Sequence, residues 1–205
     1  MSSEKNAVEP RENTIRLVSE AEATGETAAL YDEITGGRGD VDEELDLSKL
    51  WLMLGNDPEL LEHVWHHMRY MYHGGSLPYE LKSKLSMVVA SVMECEGCRY
   101  FHESALANIG LDDDVIQDLK ALRIEDTGFS PEEEVLMQFA EKAAEDPHSI
   151  TDEDLEALRE LGLSERELLE VFDCIAFHVY TSMIQGMAGI VYPGMSREEW
   201  TEPVA

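Results

Sequence analysis

The sequence predicts an all-α fold, a compact single-domain helical bundle. Three observations carry that prediction. Apolar residues recur at helical spacing through most of the chain, helix-entry signals precede most of these runs, and strand-like alternation is hard to find. At 205 residues the chain can bury one sizeable core and is short for two. Hydrophobic residues make up 43%, so disorder is expected only at the ends, in tails at 1–13 and 194–205 flanking a domain at 14–193.

The glycines of "GGRGDVDEELD" predict a loop at 36–46. In "NDPELLEHVWHHMRYMYHGG", Asp57 is the N-cap, Pro58 the first helical residue and Gly74 the stop. Leu60, Leu61, Val64, Trp65, Met68, Met71 and Tyr72 then share an apolar face. A second helix begins near Pro78 and turns Leu81, Leu85, Val88, Val89 and Val92 inward. The segment from Cys98 to Asn108 reads as a helix closed by Gly110. Others are expected near 112–122 and 131–145, and from Thr151, whose Asp154 partner makes a capping box. Ser164 with Glu167 opens a last helix that is apolar nearly all round, suited to the core or to a subunit interface. That helix, in so small a chain, predicts a homo-oligomer.

The chain carries 44 acidic residues against 15 basic ones. Such a surface repels nucleic acid and anionic lipid, so neither is expected as a partner. The acids are spread over all elements, which predicts a solvated acidic coat and a salt-rich, halophilic setting. The opening residues carry no secretory apolar run, and no stretch is long and apolar enough to span a membrane. A cytoplasmic protein is expected.

Three cysteines, two of them as Cys95-x-x-Cys98, do not form an extracellular disulfide framework. In "ECEGCRYFHE", a helix over 95–102 would bring Cys95, Cys98 and His102 within an arc of about 60°. A helix N-terminus favours a thiolate, and His102 stands one turn beyond Cys98 to take or share its proton. Cys98 is then the candidate nucleophile and Cys95 the candidate resolving thiol. The same three residues are also a set of zinc ligands, with Cys174 or His178 as a fourth, or they are plain core residues. Cys174 and His178 repeat the Cys-x-x-x-His spacing on the last helix and read as packed core. His63, His66, His67 and His73 read as a polar helix face rather than a metal site.

The run "LPYELKSKLSMVVASVMECEGCRYFHESALANIGLDDDVI" resembles the alkylhydroperoxidase D and carboxymuconolactone decarboxylase superfamily, in its peroxidase-related branch. The likeness rests on Leu-Pro before an apolar helix, C-x-x-C-x-x-x-H-E, and the Gly-Leu break before an acidic helix start. It extends through "TIRLVSEAEATGETAALYDEI" and "SITDEDLEALRELGLSERELLEVF". The resemblance implies an oligomeric all-α fold and thiol-dependent hydroperoxide reduction without a bound cofactor, the disulfide being reduced by an external dithiol such as a lipoyl group. It assigns attack to Cys98, resolution to Cys95 and a proton relay to His102. Lactone decarboxylation is not expected, because that branch lacks the paired cysteines. Two positions depart from the pattern: Ser83 stands where the relay glutamate is expected, and Gly97 where a histidine often precedes the second cysteine. Glu80, one turn before Ser83, is the candidate substitute. On an unbroken helix it would lie about 22 Å from Cys95, so it can serve only if the chain turns back between Glu94 and Gly97.

Overall fold

The computed structural model describes residues 14–36 and 47–190. The expected tails at 1–13 and 194–205, and the expected loop apart from Gly36, lie outside the described residues. Among the described residues every regular element is helical, with nine α-helices and no strand.

Helices α1 (Gly25–Gly36) and α2 (Lys49–Leu54) carry no side-chain cap that the sequence announces. They form because they pack. The Tyr31 hydroxyl reaches the carbonyls of Val18 at 3.0 Å and Trp51 at 3.1 Å, tying α1 to α2 and to the segment before it. Leu50, Trp51, Met53 and Leu54 turn four of the six residues of α2 into core. In α3 (Pro58–His73), the Asp57 carboxylate accepts from Leu60 N–H at 3.1 Å, as the N-cap reading requires. Leu61, Val64, Met71 and Tyr72 are buried, while Leu60, at the edge of that stripe, is 41% exposed and leaves the expected face.

Helix α4 (Tyr79–Val92) is the centre of the molecule, packed by α5 (Glu96–Asn108), α7 (Pro131–Glu145) and α9 (Glu165–Ala188). The sequence expectation of one inward face is too narrow here. Residues 82–91 are buried all round, Lys82, Ser83, Lys84 and Ser86 among them. Leu85, Met87, Val88 and Val89 are fully buried, each stabilising the fold by about 1.5–3 kcal/mol. Helix α6 (Asp113–Lys120) closes on α4 and α5, and α8 (Asp152–Glu160) lies on α7. Capping boxes at Ser130/Glu133, Thr151/Asp154 and Ser164/Glu167 open α7, α8 and α9.

The turn between α3 and α4 is held from across the molecule by α9. The Glu170 carboxylate accepts from the N–H groups of Ser76 at 2.9 Å and Leu77 at 3.0 Å, and lies 3.6 Å from the buried Lys82 ammonium. Gly75 adopts φ +74°, and a Cβ there would collide with that carboxylate, so only glycine fits. This anchor sets the register of α3 and α4 against α9, the three helices that wall the site beside α5.

Candidate functional site

The chain does turn back after α4, at the start of the expected Glu94 to Gly97 stretch. Met93 ends the helix, Glu94 takes a left-handed φ of 51°, and Cys95 N–H returns to the Ala90 carbonyl at 3.0 Å. Cys95 is the extended N-cap of α5 (φ −88°, ψ 100°), so it precedes the helix, and Gly97 lies inside the first turn. Arg99 ties this entrance to the end of α4 by donating to the Ser91 carbonyl at 3.0 Å. Cys95 and Cys98 are joined as a disulfide, with Cα atoms 5.3 Å apart, inside the ordinary range for such a bond. Cys95 packs on Ala90 and Met93. Cys98 faces α9, where Gln185 Nε2 donates to its sulfur at 3.1 Å and Ser182 Oγ lies at 3.5 Å.

Cys98 and His102 line one small cavity of about 50 Å³, together with Trp51, Phe101, Thr181 and Gln185. On general volumes this is room for a few water molecules. Its walls are largely apolar, so any charge formed inside is weakly screened.

His102 is 3% exposed and belongs to a hydrogen-bonded cluster whose direction can be derived from its far end. His178 Nδ1 sits 2.8 Å from the Cys174 carbonyl, which only accepts, so Nδ1 carries the proton. His178 Nε2 therefore accepts, and the Tyr72 hydroxyl donates to it at 3.0 Å. Tyr72 has one proton to give, so its oxygen receives the longer 3.4 Å contact from His102 Nδ1–H. That leaves His102 Nε2 as an unprotonated base. Ser86 Oγ donates to the Lys82 carbonyl at 2.6 Å and supports His178 Nδ1 at 3.3 Å. The two imidazoles meet edge to face, 4.9 Å between centroids.

Burial keeps both rings neutral. It pushes His102 well below the ordinary histidine value, with the nearby His178 adding to the effect. It brings His178 down to about 4, against the Cys174 carbonyl, which favours the protonated form. The Cys174 thiol is pushed up to about 12 by burial, as suits the packed core residue expected from the sequence. His178 is buried as well, and it is also part of the His102 cluster and lines the cavity.

Glu80 does not join this group. Its carboxylate is half exposed and pairs with Lys84 at 2.7 Å, in the first turn of α4. The turn at Glu94 places the cysteines beside Ala90, ten residues further along, about 15 Å away at 1.5 Å per residue. Ser83 is buried and donates to the Tyr79 carbonyl at 2.9 Å. Among the described residues no three His, Cys, Asp or Glu side chains are grouped to hold a metal. The Cys95, Cys98, His102 set is not grouped that way, because the two sulfurs bond each other and His102 Nδ1 is turned to Tyr72. On α3, His67 pairs with Asp173 at 2.8 Å, His66 lies 3.8 Å from Glu33, and His73 stacks on Tyr79.

The residues that the sequence reading passed over come from α9 and α3. On α9 a signal was present: Cys174, His178, Thr181, Ser182 and Gln185 stand at i, i+4, i+7, i+8 and i+11, a polar stripe on an apolar helix. Tyr72 carried no such mark, since it reads as one more apolar-face residue of α3.

Neither a protein-family model nor a curated protein sequence matches the chain. Solved structures do. A peroxidase-related protein from Silicibacter sp. TM1040 aligns with a TM-score of 0.76 at 19% identity, over 90% of this chain and 94% of its own. The alkylhydroperoxidase AhpD core of a peroxidase-related protein from Ralstonia eutropha JMP134 gives 0.69 at 16%, over 80% and 87%. The debrominase Bmp8 in complex with 2,3,4-tribromopyrrole gives 0.70 at 15%, over 85% and 88%. The chain therefore has the all-helical alkylhydroperoxidase D-like fold that its cysteine segment led us to expect.

Proposed function

We propose that the protein is a dithiol oxidoreductase that reduces small hydroperoxides. The observation that carries this reading is the Cys95–Cys98 disulfide at the entrance of α5, with Cys98 opening on the cavity that His102 also lines. In the reduced protein His102 Nε2 takes the Cys98 proton, and the thiolate attacks the terminal peroxide oxygen. The O–O bond breaks, and the alkoxide leaves as an alcohol with the proton held on His102. Cys95, as thiolate, then attacks the Cys98 sulfenic acid; the S–O bond breaks, water leaves after protonation, and the disulfide forms. An external dithiol, of which a dihydrolipoyl group is the candidate, reduces the disulfide and is itself oxidised to a disulfide.

The cavity volume favours a small peroxide over the brominated ring bound by the debrominase. About 50 Å³ receives a peroxide group, whereas a polybrominated ring requires the side chains around it to move. The test is hydroperoxide consumption in high salt, coupled to dihydrolipoamide. Wild type should turn over, Cys98→Ser should fall to background, and Cys95→Ser should consume about one peroxide per chain and stop. Peroxide that leaves both thiols intact, with one zinc per chain protecting them, would replace this reading with a non-catalytic, metal-stabilised redox module.

A further inference from the structure

We infer that Gln185 is a catalytic residue of this site, which together with Ser182 holds the Cys98 sulfur as a thiolate. The inference deepens the proposed peroxide reduction and rests on it for the role of Cys98. Its physical basis is the placement of amide protons. Gln185 Nε2 has two: one points at Cys98 Sγ at 3.1 Å, and the other is held by the Thr181 carbonyl at 3.3 Å. Since a carbonyl only accepts, the Thr181 contact orients the amide with its nitrogen toward the sulfur. Ser182, one helical turn before, brings its hydroxyl to 3.5 Å from the same atom.

Both side chains are nearly sealed, Gln185 at 6% and Ser182 at 5% exposure. A buried amide costs free energy unless its donors meet a good acceptor, and a disulfide sulfur is a weak one. A thiolate carries full charge, so the same contacts strengthen when Cys98 ionises, and more so in a cavity with largely apolar walls. The donors converge on Cys98 alone of the pair, while Cys95 lies against Ala90 and Met93. Cys98 also stands in the first turn of α5, where the helix dipole favours negative charge. α9 thus makes the two cysteines unequal.

Among the described residues, the titratable and charged groups around Cys98 include Cys95, Arg99 and His102, Glu94 and Glu96 beside Arg99, Tyr72 on α3 and His178 on α9. Cys95 is serine in the parent and in every variant alike, and none of the others changes in the variants that test the inference. The measurement is the pH dependence of iodoacetamide alkylation at Cys98, read by mass spectrometry in a Cys95→Ser background. Gln185→Leu should raise the midpoint of the alkylation profile by about one to two pH units. Ser182→Ala should raise it less. Gln185→Glu, similar in size but anionic, should raise it at least as far as leucine does, and it carries the test should Gln185→Leu lose its helical circular dichroism. Midpoints that stay within a few tenths of a unit of the parent in both Gln185 variants would overturn the assignment.

Alkylation needs no peroxide, so the two readings fail separately. A shifted midpoint in Gln185→Leu, in a protein without hydroperoxide turnover, would leave Gln185 in place and remove the peroxidase. Normal turnover with unmoved midpoints would remove Gln185 and leave the peroxidase.

Discussion

His178 sits among Tyr72, Ser86 and the Cys174 carbonyl with 3% of its surface exposed, and every polar atom of its ring is engaged. Its neutral form is what the surroundings accept, which is why burial takes it from 6.5 to about 4. Between those values the unfolded chain binds a proton at this position and the folded protein does not. Native stability therefore stands in full above pH 6.5 and falls as the pH drops toward 4, by up to about 1.4 kcal/mol per pH unit. His102 is depressed in the same direction and adds to the slope. In His178→Gln the melting temperature should vary less steeply between pH 6.5 and 5 than in wild type. Parallel slopes in the two proteins would locate the pH sensitivity elsewhere.

At the scale of elements, α9 joins the two halves of the site to the rest of the fold. Its residue Glu170 lies one turn from the exposed Arg166, yet only 7% of it is exposed. Burial alone would raise its pKa. The N–H groups of Leu77 and Ser76, the Ser76 hydroxyl and Lys82 outweigh that and hold it below the usual carboxylate range. Glu170→Ala would leave the Lys82 ammonium buried opposite an empty space and release the turn at Gly75. A loss of about 3–5 kcal/mol in urea unfolding is expected; a loss under about 1 kcal/mol would mean that the turn holds without its anchor. The opposite face of α9 leaves Leu169, Met183 and Met187 more than half exposed. That is the area the homo-oligomer expected from the sequence would cover.

Over the whole molecule, charge is the dominant feature. The formal balance is −29, and two of the few cations, Lys82 and Lys84, are buried in α4, which leaves the surface more acidic still. Repulsion among such charges reaches about 10 Å at 0.1 M salt and about 3 Å at 1 M. The melting temperature should accordingly rise between 0.1 and 2 M KCl, on the order of 10 °C for a few kcal/mol in a chain of this size. A flat or falling curve would show that the acids are already compensated and would remove the salt-adapted reading. By itself the sequence determined the helical class, the caps at Asp57, Thr151 and Ser164, the acidic coat and the cysteine pair, because each is written in neighbouring residues or in spacings of three to seven. It left α1 and α2 unread and offered Glu80 in place of a relay, while the chain reversal falls at Glu94, within the expected Glu94 to Gly97 stretch. Only the tertiary structure decided that Tyr72, His178, Ser182 and Gln185 meet Cys98 and His102. Their sequence separations run from 30 to 106 residues for the hydrogen bonds that join them across helices. Contacts of that range arise from how helices pack around α4, and no local pattern encodes them.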